Sequence, residues 1–183
     1  IISAGDFIAA ASAKAGLEIY TFKTFPAEIR GGYAMYQIRI SPEHLYNQGD
    51  RFDVFCCLSL DALNRNRHLF TEDTVLIFDD TEELHIGAES LPGHCYPIPM
   101  TQGARDSGNR LAKNLVMMGA LSKLFNIPEK TLEKVIEERF HSKGTEIYAA
   151  NVKAFRCGQE AAAALSKTDP YTLSDAGHSK DVI

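Results

Sequence analysis

The chain switches between two hydrophobic periods, and the switching predicts an α/β fold. Ile2 to Gly16 is alanine-rich, with Ile2, Phe7, Ile8, Ala11 and Ala15 near helical spacing, and Gly16 is placed to stop the helix. Leu17 to Phe25 sets Leu17, Ile19, Tyr20 and Phe22 as in a strand, and Tyr33 to Ile40 reads as a second, ending before Ser41-Pro42. Phe52 to Leu58 (FDVFCCL) is a continuous apolar run, which predicts a strand buried on both faces of a parallel sheet. A short helix over Leu60 to Phe70 follows, then another buried strand over Thr74 to Phe78, ending at Asp79-Asp80. His94 to Met100 is interrupted by proline and so predicts a last strand at the edge or end of the sheet.

Beyond it the pattern is helical. Arg110 to Phe125 carries Leu111, Leu115, Met118, Leu121 and Phe125. Pro128 to Phe140 opens with proline in its first turn and shows Leu132, Val135, Ile136 and Phe140. Thr145 to Leu165 shows Ile147, Ala154, Phe155, Ala161 and Leu165. From Ser166 the period collapses into SKTDPYTLSDAGHSK, which predicts a polar linker, and Asp181-Val182-Ile183 reads as the first step of another strand. The expected organisation is one domain over residues 1–165, with a largely parallel sheet flanked by helices and a helical C-terminal tail, and 166–183 as linker and start of a next domain. The chain opens inside a helix, so the strand and glycine-rich turn that usually precede such a helix are expected upstream of Ile1.

Composition narrows the function classes. With 183 residues, 45% of them hydrophobic, one sizeable core can form. A net charge of −5 leaves no electrostatic footprint for nucleic acid or a membrane surface, and no apolar run approaches the roughly 18 residues that span a bilayer. Ile1 to Ala15 lacks the basic start of a signal peptide. The cysteines, Cys56, Cys57, Cys95 and Cys157, form no CxxC pair, so zinc or iron–sulfur ligation is not expected, and reduced thiols in a cytoplasmic protein are. The six histidines are scattered without partners at ligand spacing, and no serine sits in a nucleophile elbow. A solvated strand-end turn is the expectation for Asp79-Asp80.

Two constellations remain. In FPAEIRGGYAMYQIRI, a proline-containing loop delivers Glu28, Arg30, Gly31 and Gly32 just before a strand. Adjacent glycines let backbone approach a ligand closely, and the guanidinium is a positive fork suited to phosphate, although a tight turn with a structural ion pair uses the same residues. In TQGARDSGNRLAKNLVMMGAL, the polar Asn109, Arg110, Lys113 and Asn114 lead into an apolar helix whose N-terminal half attracts anions. Asn109 reads as a cap, whereas Asn114 lies between the apolar Ala112 and Leu115. Neither constellation offers a general base or nucleophile. Together they describe a binder of something phosphorylated, contributing to chemistry done elsewhere.

Four segments, IISAGDFIAAASAKAGLEIY, FPAEIRGGYAMYQIRIS, FDVFCCLS and IPMTQGARDSGNRLAKNLVMMGAL, resemble in order and spacing the gamma domain of the 2-oxoacid:ferredoxin oxidoreductases, over about Ile1 to Phe140. The resemblance implies a Rossmann-like domain that helps bind coenzyme A. Thiamine diphosphate, its Mg²⁺ and iron–sulfur clusters would then lie in alpha and beta components or other parts of the enzyme. The reaction implied is oxidative decarboxylation of a 2-oxoacid to an acyl-CoA, with electrons passed to ferredoxin. A linker leading toward a further domain is similar to members with gamma fused ahead of alpha, which makes 2-oxoglutarate the first choice of substrate, ahead of pyruvate or an arylpyruvate. The resemblance assigns Arg30, Gly31 and Gly32 to the loop facing coenzyme A, Asn114 to its helix motif, and the backbone N–H groups of Ile1 and Ile2 to the pyrophosphate. Two rivals stay open. A dinucleotide-binding module would need an acidic residue after the second strand, where Arg39 and Ile40 stand. An assembly domain would use the Arg30 loop to pack against a partner.

Overall fold

The structure, a computed structural model, describes residues 2–25, 32, 34–81 and 91–174. In chain order the elements are α1 (Ile2–Lys14), β1 (Glu18–Thr24), β2 (Met35–Ser41), β3 (Val54–Cys57), α2 (Leu60–Asn66), β4 (Val75–Asp79), β5 (His94–Ile98), α3 (Met100–Asp106), α4 (Lys113–Phe125), α5 (Glu129–Phe140) and α6 (Thr145–Ala163). Single 3₁₀ turns follow α2 (Arg67–Leu69) and α5 (His141–Lys143).

Three strands form a parallel sheet in the order β3-β4-β5, with Val54 beside Val75 and Val75 beside His94. Its two faces are apolar. Val75, Ile77, Tyr96 and Ile98 face the main core, which runs through α1, α3, α4, α5 and α6. Leu76 and Cys57 face a smaller core closed by Leu63 of α2 and Phe70. The molecule is thus α/β, with a parallel sheet flanked by helices and a helical C-terminal region, as its sequence pattern predicts.

Four details differ from the sequence reading. First, β1 and β2 do not join the parallel sheet; they pair antiparallel with each other, Glu18 opposite Ser41 and Thr24 opposite Met35. Their inner face, with Tyr36, lies on α1, where a Cβ at Gly5 would overlap the Tyr36 ring, while Tyr20 and Phe22 face outward. Second, β4 rather than β3 is the strand buried on both faces, with Val75 and Ile77 in the main core and Leu76 in the smaller one; in β3 only Cys57 is fully buried. Third, the helix expected from Arg110 starts at Lys113. A turn precedes it, with Asn109 Oδ1 accepting from the Leu111 N–H and the Asn109 carbonyl from the Ala112 N–H, and Met100–Asp106 is a helix of its own.

Fourth, the polar tail is docked over its described part. Asp169 is buried, and its carboxylate accepts from the Tyr96 hydroxyl at 2.6 Å, the Lys167 ammonium at 2.7 Å and the Tyr171 N–H at 2.8 Å. Further along, the Leu173 N–H donates to the Phe125 carbonyl, and Asn126 Nδ2 donates to the Leu173 carbonyl. Tyr171 packs against the main core, and the polar groups around Asp169 are paired with the body, so the segment is held by both.

The helical layer is held by two glycines. A Cβ at Gly119 of α4 would overlap the Phe155 carbonyl, and one at Gly158 of α6 would overlap the Val116 carbonyl. The two backbones therefore touch, an approach only glycine permits.

Candidate functional site

The first turn of α1, the start of α4 and the start of α6 surround a cavity of about 600 Å³, within the usual range for ligand pockets, roughly 300–1,000 Å³. Its apolar wall includes Phe7, Leu115, Met118 and Phe140, and its polar groups come from Ser3, Asn109, Asn114 and Asn151. Lys143 and Glu146 add one charge of each sign. Alanine at positions 4, 112 and 150 keeps the space open where larger side chains would fill it.

The hairpin is tied to this end of α1. Lys23 pairs with Asp6, and the Tyr36 hydroxyl donates to the same carboxylate at 3.0 Å. The Lys23 ammonium, chiefly, holds the Asp6 carboxyl below its ordinary range. The end of β1 and the start of β2 thus lie beside the N-terminal half of α1.

The sequence-derived candidates fall out as follows. Ile2 is the first residue of α1, next to Ser3 in the cavity wall, and Asn114 is the second residue of α4 and part of that wall. The structure therefore brings the α1 start and Asn114 together. Gly32 has φ of 95°, in the region that favours glycine, and is not part of the wall. Ile1, Arg30 and Gly31 lie outside the described residues.

Sequence reasoning missed two groups. Asn151 of α6 is 2% exposed, and its Oδ1 accepts from Asn109 Nδ2 at 2.9 Å. An amide four residues from both Ile147 and Phe155 breaks an apolar stripe, a signal visible in the sequence. The other group is Asp79, which is no solvated turn residue but 2% exposed. It lies at the C-terminal end of β4, 2.6 Å from Lys113 Nζ, and accepts from the Thr101 N–H and hydroxyl. Burial pushes this carboxyl up, but the bonds from Lys113 and Thr101 outweigh it and bring the pKa down to about 2. The pair locks the starts of α3 and α4 to the sheet, which fixes where Asn114 stands.

The cysteines cannot gather around a cluster. Cys56 and Cys57 point to opposite faces of β3, Cys95 is on β5 and Cys157 on α6. Burial pushes the Cys56 thiol up to about 12, away from the thiolate that metals need. No group of three or more metal-ligating side chains occurs among the described residues.

Residues 1–161 match the family described as pyruvate ferredoxin/flavodoxin oxidoreductase. The chain belongs to the pyruvate ferredoxin/flavodoxin oxidoreductase family. Within it, the 2-oxoglutarate synthase subunit KorC of Methanocaldococcus jannaschii is 32% identical over 146 residues, covering 76% of this chain and 75% of that protein. The 2-oxoglutarate:ferredoxin oxidoreductase of Magnetococcus marinus, solved with 2-oxoglutarate, coenzyme A and succinyl-CoA bound, is 50% identical with a TM-score of 0.92. That likeness covers all of this chain and 32% of the Magnetococcus chain, so the family member in hand spans about a third of that polypeptide. The gamma subunit of a keto/oxoacid ferredoxin oxidoreductase from Geobacter sulfurreducens shares the fold, with a TM-score of 0.67 at 24% identity over 90% of this chain and 92% of that one.

Proposed function

We propose that this chain is the gamma part of a 2-oxoglutarate:ferredoxin oxidoreductase and that it helps hold coenzyme A while a 2-oxoacid is oxidatively decarboxylated. The observation that carries the reading is the likeness, at 50% identity over all of this chain and 32% of the other, to an enzyme solved with 2-oxoglutarate and coenzyme A. The geometry supports it: the starts of α1 and α4 meet at one cavity, and Asn114 stands in its wall. On this reading thiamine diphosphate and its Mg²⁺ belong between the alpha and beta components, and the iron–sulfur clusters to other parts of the enzyme. Ferredoxin would take the electrons there. Free cysteines on separate elements suit a reducing compartment, and the reading places the enzyme in the cytoplasm. No helix among the described residues is long and apolar enough to cross a membrane.

This chain's contribution is binding and orientation. Helix-start N–H groups and the Arg30–Gly32 loop would hold the anionic end of coenzyme A, leaving its thiol to the component that carries the acyl intermediate. The complete enzyme should reduce a viologen dye with 2-oxoglutarate in preference to pyruvate, and only with coenzyme A present. Arg30→Ala should weaken coenzyme A about ten- to a hundredfold, the worth of one charge-assisted contact. Single-turnover decarboxylation should stay near the wild-type rate. A pyruvate preference would overturn the substrate, and an unchanged coenzyme A titration in a folded Arg30→Ala enzyme would remove that residue from the site.

A further inference from the structure

The β1–β2 hairpin carries aromatic side chains on both faces, and only one face has a use inside this chain. In an antiparallel pair, directly opposed residues share a face. Ile19–Ile40, Thr21–Ile38 and Lys23–Tyr36 therefore face α1, where Ile38 and Ile40 pack against the main core and Lys23 and Tyr36 meet Asp6. Tyr20–Arg39 and Phe22–Gln37 point the other way. Tyr20 and Phe22 are 39% and 44% exposed and belong to neither core.

The segment after β2 folds back along the outer face and extends it. Arg39 Nη1 donates to Asn47 Oδ1 at 2.6 Å, and Gln37 Nε2 donates to the Gln48 carbonyl at 3.1 Å. His44 Nδ1 lies 3.2 Å from Glu18 Oε2, and its ring meets the Tyr46 ring edge-on with centres 4.6 Å apart. Tyr46 is 83% exposed. The outer face thus presents Tyr20, Phe22 and Tyr46, with Glu18, Gln37 and Arg39 around them. The inner face fastens the ribbon: the Tyr36 ring lies against Gly5, and its hydroxyl and the Lys23 ammonium share the Asp6 carboxylate. The outer aromatics are held in place before anything binds them, which lowers the entropy cost of association.

Aromatic residues and arginine are what the centres of protein interfaces are enriched in. The outer face of a ribbon is not the concave pocket that a small molecule needs, and one acid beside one base gives no basic field for nucleic acid. Relatives point to the occupant. In the Magnetococcus enzyme the part like this chain is 32% of one polypeptide, so most of that polypeptide lies outside it and is tethered close by, at high effective concentration. The Geobacter gamma subunit is matched over 92% of its own length, and a separate subunit is held in its enzyme by surface contacts. Resting on the function proposed above, we propose that the outer face of the β1–β2 hairpin docks on the alpha component of the same enzyme, with Tyr20 and Phe22 at the centre of the contact and Tyr46 at its margin.

The test places the photo-crosslinking residue p-benzoylphenylalanine at position 22 of the complete enzyme and maps the joined peptides by mass spectrometry, which reads the contact whether the two components share a chain or not. Position 20 serves if the first variant fails to assemble. The crosslinks should fall on the alpha component. In a second measurement, Tyr20→Thr with Phe22→Thr keeps residues that favour a strand and should lower by several degrees the temperature at which the enzyme loses dye reduction, whereas the same change on a free surface has little effect. An active, coenzyme-A-dependent enzyme that crosslinks only to a second copy of residues 1–183, only to another component, or to nothing would overturn the proposal and leave the functional reading standing. An unchanged inactivation temperature would overturn it too. Failure of the unsubstituted enzyme to reduce the dye with 2-oxoglutarate and coenzyme A would overturn that reading and this one with it.

Discussion

Asp79 shows how one carboxylate can organise an end of a sheet. Its pKa of about 2 lies below the aspartate reference of 3.8, because bonds from Lys113 and Thr101 outweigh the burial that opposes ionisation. A carboxyl whose pKa falls on folding stabilises the folded state above its unfolded pKa and loses that contribution as pH drops toward the folded value. Asp79 should therefore contribute in full at neutral pH and progressively less from about pH 4 to pH 2. Asp79→Asn leaves the Lys113 ammonium without its carboxylate and should cost about 2–3 kcal/mol at pH 7. It should also flatten the acid limb of a plot of melting temperature against pH. An acid limb as steep as the wild type's would place the titration elsewhere. Of this group, the sequence marked the strand end but not the ion pair, because Asp79 and Lys113 are joined only by the crossover through β5 and α3.

At the scale of elements, the α4–α6 contact sets the spacing of the helical layer. Gly119→Ala and Gly158→Ala each drive a Cβ into a facing carbonyl, and no side-chain rotation relieves a clash with backbone. Each should cost about 1–3 kcal/mol in denaturant unfolding, although alanine by itself favours a helix over glycine. Once one substitution has pushed the helices apart the second has less to displace, so the double variant should lose less than the sum. Additive losses would mean that the glycines do not share one contact. These helices were legible as helices: strong periodicity put α5 and α6 within a residue or two of their observed ends. Pairing was not legible. Whether β1 and β2 join the parallel sheet depends on contacts far apart in sequence, and the short α3 is too brief to show a period. The same limit governs the site. Asn114 and the α1 start stood out locally, whereas the Asn109–Asn151 pair spans two helices and becomes visible only when they pack.

Across the whole molecule, the hairpin and the parallel sheet lie on different parts of a shared helical core, and the segment after α6 is bound back onto that body. The Lys167 ammonium reaches Asp169 Oδ1 at 2.7 Å, the Asp169 carbonyl at 2.9 Å and the Tyr171 carbonyl at 2.6 Å, while the Thr168 and Asp169 N–H groups both donate to the Tyr96 hydroxyl. A protease must draw several residues into an extended cleft to cut a bond, and the peptide after Lys167 is not free to follow. Despite its linker-like composition, this segment should resist trypsin. Cleavage after Lys167 should proceed no faster than the protein unfolds as a whole, and it should accelerate in Tyr96→Phe, which deletes the hydroxyl at the centre of the knot. Rapid cutting at that bond in the native wild-type protein would contradict the docking. A tail held this way is an anchored strap as far as Ser174, its course set by the bonds it makes and not by the looseness its composition suggests.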